Sequence, residues 1–153
     1  MTLCGRILGT IRHLWVTMMI KTYREMRQLK TFEERFRYLS LKGQIGVSTF
    51  GFDRHINQKF YRSTEWKRIR NFVITRDLGC DLGVEGYELH SELLIHHMNP
   101  MQPIDIIEGN AAILEPDFLI TTSKRTHNAI HFGDERLLPK DPEPRTPGDT
   151  RLW

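Results

Sequence analysis

The sequence predicts an α+β fold: a helical N-terminal region, then two strands and a helix, then a disordered proline-rich tail. Three observations predict it. Apolar residues recur at helical spacing in three stretches before residue 80. Two β-rich stretches follow, 86–98 and 118–122. The second leads into a stretch with histidines at i and i+4 that Gly133 closes.

Each helix has its own signals. Over 18–29, Tyr23, Met26 and Leu29 recur at i, i+3 and i+6. Thr31-Phe32-Glu33-Glu34 is a capping-box pattern. Phe32, Phe36 and Leu39 give that second helix its apolar stripe, and Gly43 is its expected stop. Arg24, Arg27, Lys30, Arg35 and Arg37 fall on the opposite faces and read as solvated. Residues 43–61, with Gly43, Gly46 and Gly51, read as loop with one short extended piece. Ser63 can cap a third helix with Glu65 in its first turn, and Gly79 would stop it. Trp66, Ile69, Phe72 and Val73 form its expected buried stripe. Lys67, Arg68, Arg70 and Arg76 decorate the rest and are candidate phosphate contacts.

Residues 86–98 alternate as a half-buried strand ending near Pro100, which cannot continue a central ladder. Tyr87, Leu89, Leu93, Ile95 and His97 share one side; Glu88, His90, Glu92 and His96 share the other. Adjacent strand residues point oppositely, so one of His96 and His97 can bind a metal while the other works on something beside it. Residues 101–116 carry Ile104, Asp105, Ile106, Ile107 and Glu108, a short helix inside a long connection. After the strand at 118–122, Thr122 or Ser123 can cap a helix that runs to about Phe132. His127 and His131 share one face of it. Two such imidazoles and one from a strand make a three-nitrogen site with open positions.

These segments resemble the HNH endonuclease family, whose core is a two-stranded hairpin and a helix around one metal, the ββα-metal fold. The first motif stands as His96-His97-Met98-Asn99-Pro100 and the last as His127-Asn128-Ala129-Ile130-His131. The resemblance covers roughly residues 66–134. It implies His96, His127 and His131 as ligands of one divalent ion (Mg, Mn, Zn or Ni), His97 as general base, and Asn128 in a supporting role. It implies hydrolysis of DNA phosphodiester bonds with low sequence specificity, by nicking or double-strand cutting. Lys124 and Arg125 lie in the last helix's first turn, where cations oppose the dipole, and are further candidate phosphate contacts. Small proteins of this form look like those in bacteriophage genomes near packaging genes. DNA and terminase packaging proteins are the partners this implies.

Two features depart from the family. Its middle Asn falls where this chain has Phe118. Asp117 is adjacent, but a one-residue slip on a strand reverses the side-chain direction. Of the family's two Cys-x-x-Cys pairs only Cys80 is present, so no structural zinc is expected. A non-catalytic, metal-stapled binding or assembly protein is the competing reading, and a metal-dependent RNase a third.

The 153 residues suffice for one compact domain with appendages, and a net charge of +3 permits nucleic-acid binding. Cys4 and Cys80 make no disulfide framework, which fits a cytoplasmic protein, in the host cell if phage-encoded. No run of 18 apolar residues predicts a membrane span. The expected divisions are a leader over 1–20, a helical extension over 21–62, a metal core over 63–134 and a tail over 135–153. A native start at Met18 or Met19 is a second reading of the leader.

Overall fold

Capping side chains set where the first helices begin. The computed structural model describes residues 20–41 and 54–138 and, of residues 54–56, the backbone alone. Thr22 is extended and its side chain accepts from the Glu25 amide, so α1 is only Tyr23–Met26, shorter than the helix expected over 18–29. Before α2 (Phe32–Leu39) the capping box is complete: Thr31 Oγ1 accepts from Glu34 N at 3.2 Å, and Glu34 Oε2 accepts from Thr31 N at 3.1 Å. Ser40 turns extended at ψ 129° and ends α2 early; Gly43, the expected stop, lies outside the described residues.

The expected loop over 43–61 needs correction, because α3 (Arg54–Arg62) occupies its second half. Residues 54–62 contain no Gly or Pro, and Ile56 and Phe60 stand at i and i+4. Ser63 then caps α4 (Thr64–Arg76), accepting from Trp66 N at 3.1 Å. Trp66 and Val73 are buried, but Phe72 is 54% exposed and leaves the expected stripe. Leu78 at φ 55° and Gly79 at φ 66° take the chain out through the left-handed region. Gly79 N donates back to Ile74 O, so the glycine stop stands.

β1 (Leu93–His97) pairs antiparallel with β2 (Leu119–Ser123), with His96 opposite Ile120 and His97 opposite Leu119. The expected strand from 86 is cut to five residues because Glu92 sits at φ 53°, outside extended conformation. β2 begins one residue later than expected, since Phe118 closes a 3₁₀ turn over Pro116–Phe118. α5 (Pro103–Ile107) is the short helix expected in the connection. α6 (Lys124–Phe132) follows β2 directly. Ser123 caps it, and Gly133 ends it at φ 66°.

The two-stranded sheet is covered on both faces. Leu119 and Ile95 pack with Trp66, Ile69 and Val73 of α4. Ile120 packs with Met98, Ala129 and Ile130, and the same cluster takes in Met26, Phe32, Phe36 and Leu39 from α1 and α2. Each fully buried side chain of this kind stabilises by about 1.5–3 kcal/mol. Residues 21–41 therefore share one core with the strands and α6. Arg35, read as solvated, turns inward: Nη1 donates to Leu82 O at 2.7 Å and Gly83 O at 2.8 Å, and Nε to Leu29 O at 3.0 Å. Residues 135–138, expected as the start of a disordered tail, instead form a turn capped by Asp134, with Leu138 against the core. Residues 139–153 and 1–19 lie outside the described residues. Among the described residues, no helix is long and apolar enough to cross a membrane.

Candidate metal centre

β1 and α6 bring three of the predicted histidines together. Alternation along β1 turns His96 to the α6 side, where it is 1% exposed. One helical turn separates His127 from His131 and sets both rings on the same face of α6. The ring centroids lie 5.3 Å (His96–His127), 5.1 Å (His96–His131) and 4.4 Å (His127–His131) apart. One nitrogen from each falls within 4.8 Å of the others, within reach of one ion.

Surroundings keep these rings neutral. Burial holds His96 well below its ordinary 6.5, and positive charge at His127, His131, His97 or Lys21 would push it further. Burial and then the neighbouring His131 bring His127 down to about 4, against a hydrogen bond that the protonated ring donates to Asn128, which pulls upward, with His97 adding to the depression. Burial lowers His131 as well. Neutral imidazoles offer lone pairs, as metal ligation requires. His96 Nε2 is buried with no hydrogen-bond partner among the described residues. Such an atom costs about 1–3 kcal/mol unless something supplies the missing partner. A divalent ion among the three nitrogens would supply it, so the residues fit the group. The donor set is all nitrogen, which suits Zn, Ni, Co or Mn better than Mg.

His97 faces the other way. Its ring stacks on Trp66 at 5.4 Å and 14°, with Phe60 at 6.5 Å. Its Nε2 lies 3.0 Å from the Ile113 carbonyl oxygen. A carbonyl can only accept, so Nε2 carries the proton and Nδ1 keeps its lone pair. Burial lowers the His97 pKa, and the Ile113 bond partly restores it. At neutral pH the ring is an unprotonated base with a fixed tautomer.

The predicted phosphate contacts divide. Lys67, Arg68, Lys124 and Arg125 are exposed and Arg70 is partly so. Lys124 and Arg125 stand in an α6 first turn without an acidic residue. Arg76 needs correction: its guanidinium is turned inward, with Nε on Asp77 Oδ1 at 2.8 Å, Nη1 on Pro116 O at 2.7 Å and Nη2 on Leu119 O at 2.7 Å. With those donors committed inside the fold, it is not a phosphate contact. Asn128, half-buried on α6, follows His127 directly in the chain and raises its pKa slightly against the burial.

Sequence reasoning missed three groups around the site. The Ile113 carbonyl lies 16 residues from His97, in a turn with no side-chain signature. Asp81 is buried and accepts from Thr126 Oγ1 at 2.6 Å and Ser123 N at 3.1 Å, holding the start of the histidine helix. Burial raises its pKa, against the hydrogen bonds from Thr126 and Ser123. Lys21 donates through Nζ to Leu39 O at 2.9 Å and exchanges two hydrogen bonds between its backbone and the Asn99 side chain. Asn99 stands in the first motif, and that was the available signal. Compared with known proteins, the chain matches no protein-family model, no curated protein and no solved structure.

Proposed function

We propose that the protein is a metal-dependent endonuclease of the HNH type that hydrolyses DNA phosphodiester bonds. The observation that carries this reading is the pairing of a three-imidazole cluster with a fourth imidazole, His97, that is a neighbour in sequence yet free of the cluster. A structural metal needs ligands alone. An additional histidine with one nitrogen fixed by a carbonyl and the other left basic is what general-base catalysis needs.

His96, His127 and His131 would hold the ion. When bound it supplies Lewis-acid stabilisation to the scissile phosphate and the leaving 3′-oxygen. His97 Nδ1 takes the proton of the attacking water, while the Ile113 carbonyl holds Nε2–H and keeps the tautomer. Trp66 fixes the plane of the ring. Lys67, Arg68, Arg70, Lys124 and Arg125 are the cations available to the phosphate backbone, where contacts carry no sequence information directly. Terminase packaging proteins are the proposed protein partners, on the resemblance alone. Phe118 in place of the family's Asn favours a second reading, a non-catalytic protein stapled by the metal.

Plasmid nicking separates the two. Metal-stripped protein is given Mg, Mn, Ni or Zn, and wild type is compared with His97→Ala. We expect nicking by wild type and a loss of about 10²–10⁴-fold in His97→Ala. Absence of nicking with every ion would leave the stapled-protein reading standing.

A further inference from the structure

His97 is held at two points, the face of Trp66 and the Ile113 carbonyl. Ile113 belongs to a 3₁₀ turn, Ala111–Leu114, outside the sheet and the longer helices. One end of that turn is tied locally. Asn110 Oδ1 accepts from Ala112 N at 3.0 Å, and Asn110 Nδ2 donates to Asp105 at 2.8 Å. The other end runs through Glu115 straight into the 3₁₀ turn Pro116–Phe118 and β2.

That second end is gripped by one side chain. Arg76 donates to the carbonyl of the first residue of the Pro116–Phe118 turn and to that of the residue just after it, Nη1 to Pro116 O and Nη2 to Leu119 O, both at 2.7 Å. The guanidinium is itself fixed. Nε and Nη2 bond Asp77, whose Oδ2 also takes Thr121 N at 2.8 Å, and the Tyr23 ring lies 3.5 Å from the guanidinium carbon. Arg24 N donates to Asp117 Oδ1 at 3.1 Å, so α1 closes over the same turn. A planar fork with donors at fixed angles can meet two carbonyls and a carboxylate at once, and an ammonium cannot.

We propose that Arg76 is the positioning residue for His97: through the Pro116–Phe118 turn it sets the Ile113 carbonyl, and so the tautomer and orientation of the imidazole. This deepens the endonuclease reading and rests on it for the role of His97. The hold itself is a property of the fold and is tested separately.

The test uses the full chain, metal-free and labelled with ¹⁵N, with the His97 ring signals assigned by their loss in His97→Gln. Two-bond proton–nitrogen spectra report the tautomer. Wild type should show the Nε2–H form alone. Arg76→Gln should show a second, Nδ1–H population at His97, with one-ion binding by the other three histidines retained. Its nicking kcat should fall by about ten- to a hundredfold with KM for plasmid unchanged. Arg76→Lys keeps the charge beside Asp77 but reaches fewer acceptors, and should shift the tautomer the same way by less. It also serves if Arg76→Gln fails to fold. A folded Arg76 variant whose His97 keeps the single Nε2–H form overturns the proposal. Should wild type nick with no ion, the endonuclease reading falls, and the tautomer comparison still decides whether Arg76 holds the ring.

Discussion

Burial lowers the pKa of all three clustered imidazoles, and the charge of neighbouring imidazoles lowers those of His96 and His127 further. This gives a sign for the pH dependence of the metal-free protein. His127 has a folded pKa of about 4 against an ordinary 6.5. In that window the unfolded chain binds more protons than the folded one, so stability rises with pH there. It is fully present above the unfolded value and is lost as pH falls from about 6.5 to about 4. His96 and His131 are lowered too and add to the same slope. Urea midpoints of wild type at about pH 7.5, 5.5 and 4.5 should therefore fall more steeply than those of His127→Asn. Parallel lines for the two proteins would contradict the buried, neutral cluster. Residue by residue, the grouping of His96, His127 and His131 was expected from the resemblance, while alternation and spacing alone left open which of His96 and His97 joins the pair. Strand alternation separates His96 from His97, and helical spacing joins His127 to His131. The tautomer of His97 was not legible, because a backbone carbonyl sets it and carbonyls leave no mark in a sequence.

Among the elements, α6 matters most, since it carries two of the three clustered histidines. Its start is fixed by Ser123, Thr126 and the buried carboxylate of Asp81. Asp81→Ala leaves the Ser123 amide and the Thr126 hydroxyl without their acceptor, and should cost about 1–3 kcal/mol in urea denaturation. An unchanged midpoint would show that α6 is set by its Ser123 cap alone. Local chemistry made several elements readable: the capping box of α2, Ser63 before α4, and Ser123 and Gly133 around α6. Tertiary structure decided the others. Alternation runs back from Leu93 to Tyr87, but the left-handed Glu92 ends the pairing. The Gly-rich run before Arg54 hid α3. Arg35 and Arg76 look like solvated helix charges by spacing, yet their acceptors lie 47 and 40 residues away, beyond any local pattern.

For the molecule as a whole, α1 and α2 share the core of the strands and α6 rather than standing apart as an extension. Lys21 clasps Asn99 and Arg24 holds Asp117, at the two ends of the connection between the strands. The three clustered histidines come from two elements joined through that core, so an ion bound there would be linked to the stability of the fold. A ligand at about a hundred times its Kd stabilises by about 2.7 kcal/mol. For a chain of this size that is a rise in Tm of about 5–10 °C. The measurement that bears most directly on the centre is ion content and Tm of metal-stripped wild type, His97→Ala and His127→Ala after adding Zn or Ni. Wild type and His97→Ala should each take up one ion per chain and show that rise, while His127→Ala should show neither. Equal uptake by His127→Ala, or loss of uptake in His97→Ala, would contradict the division of these histidines into ligands and base.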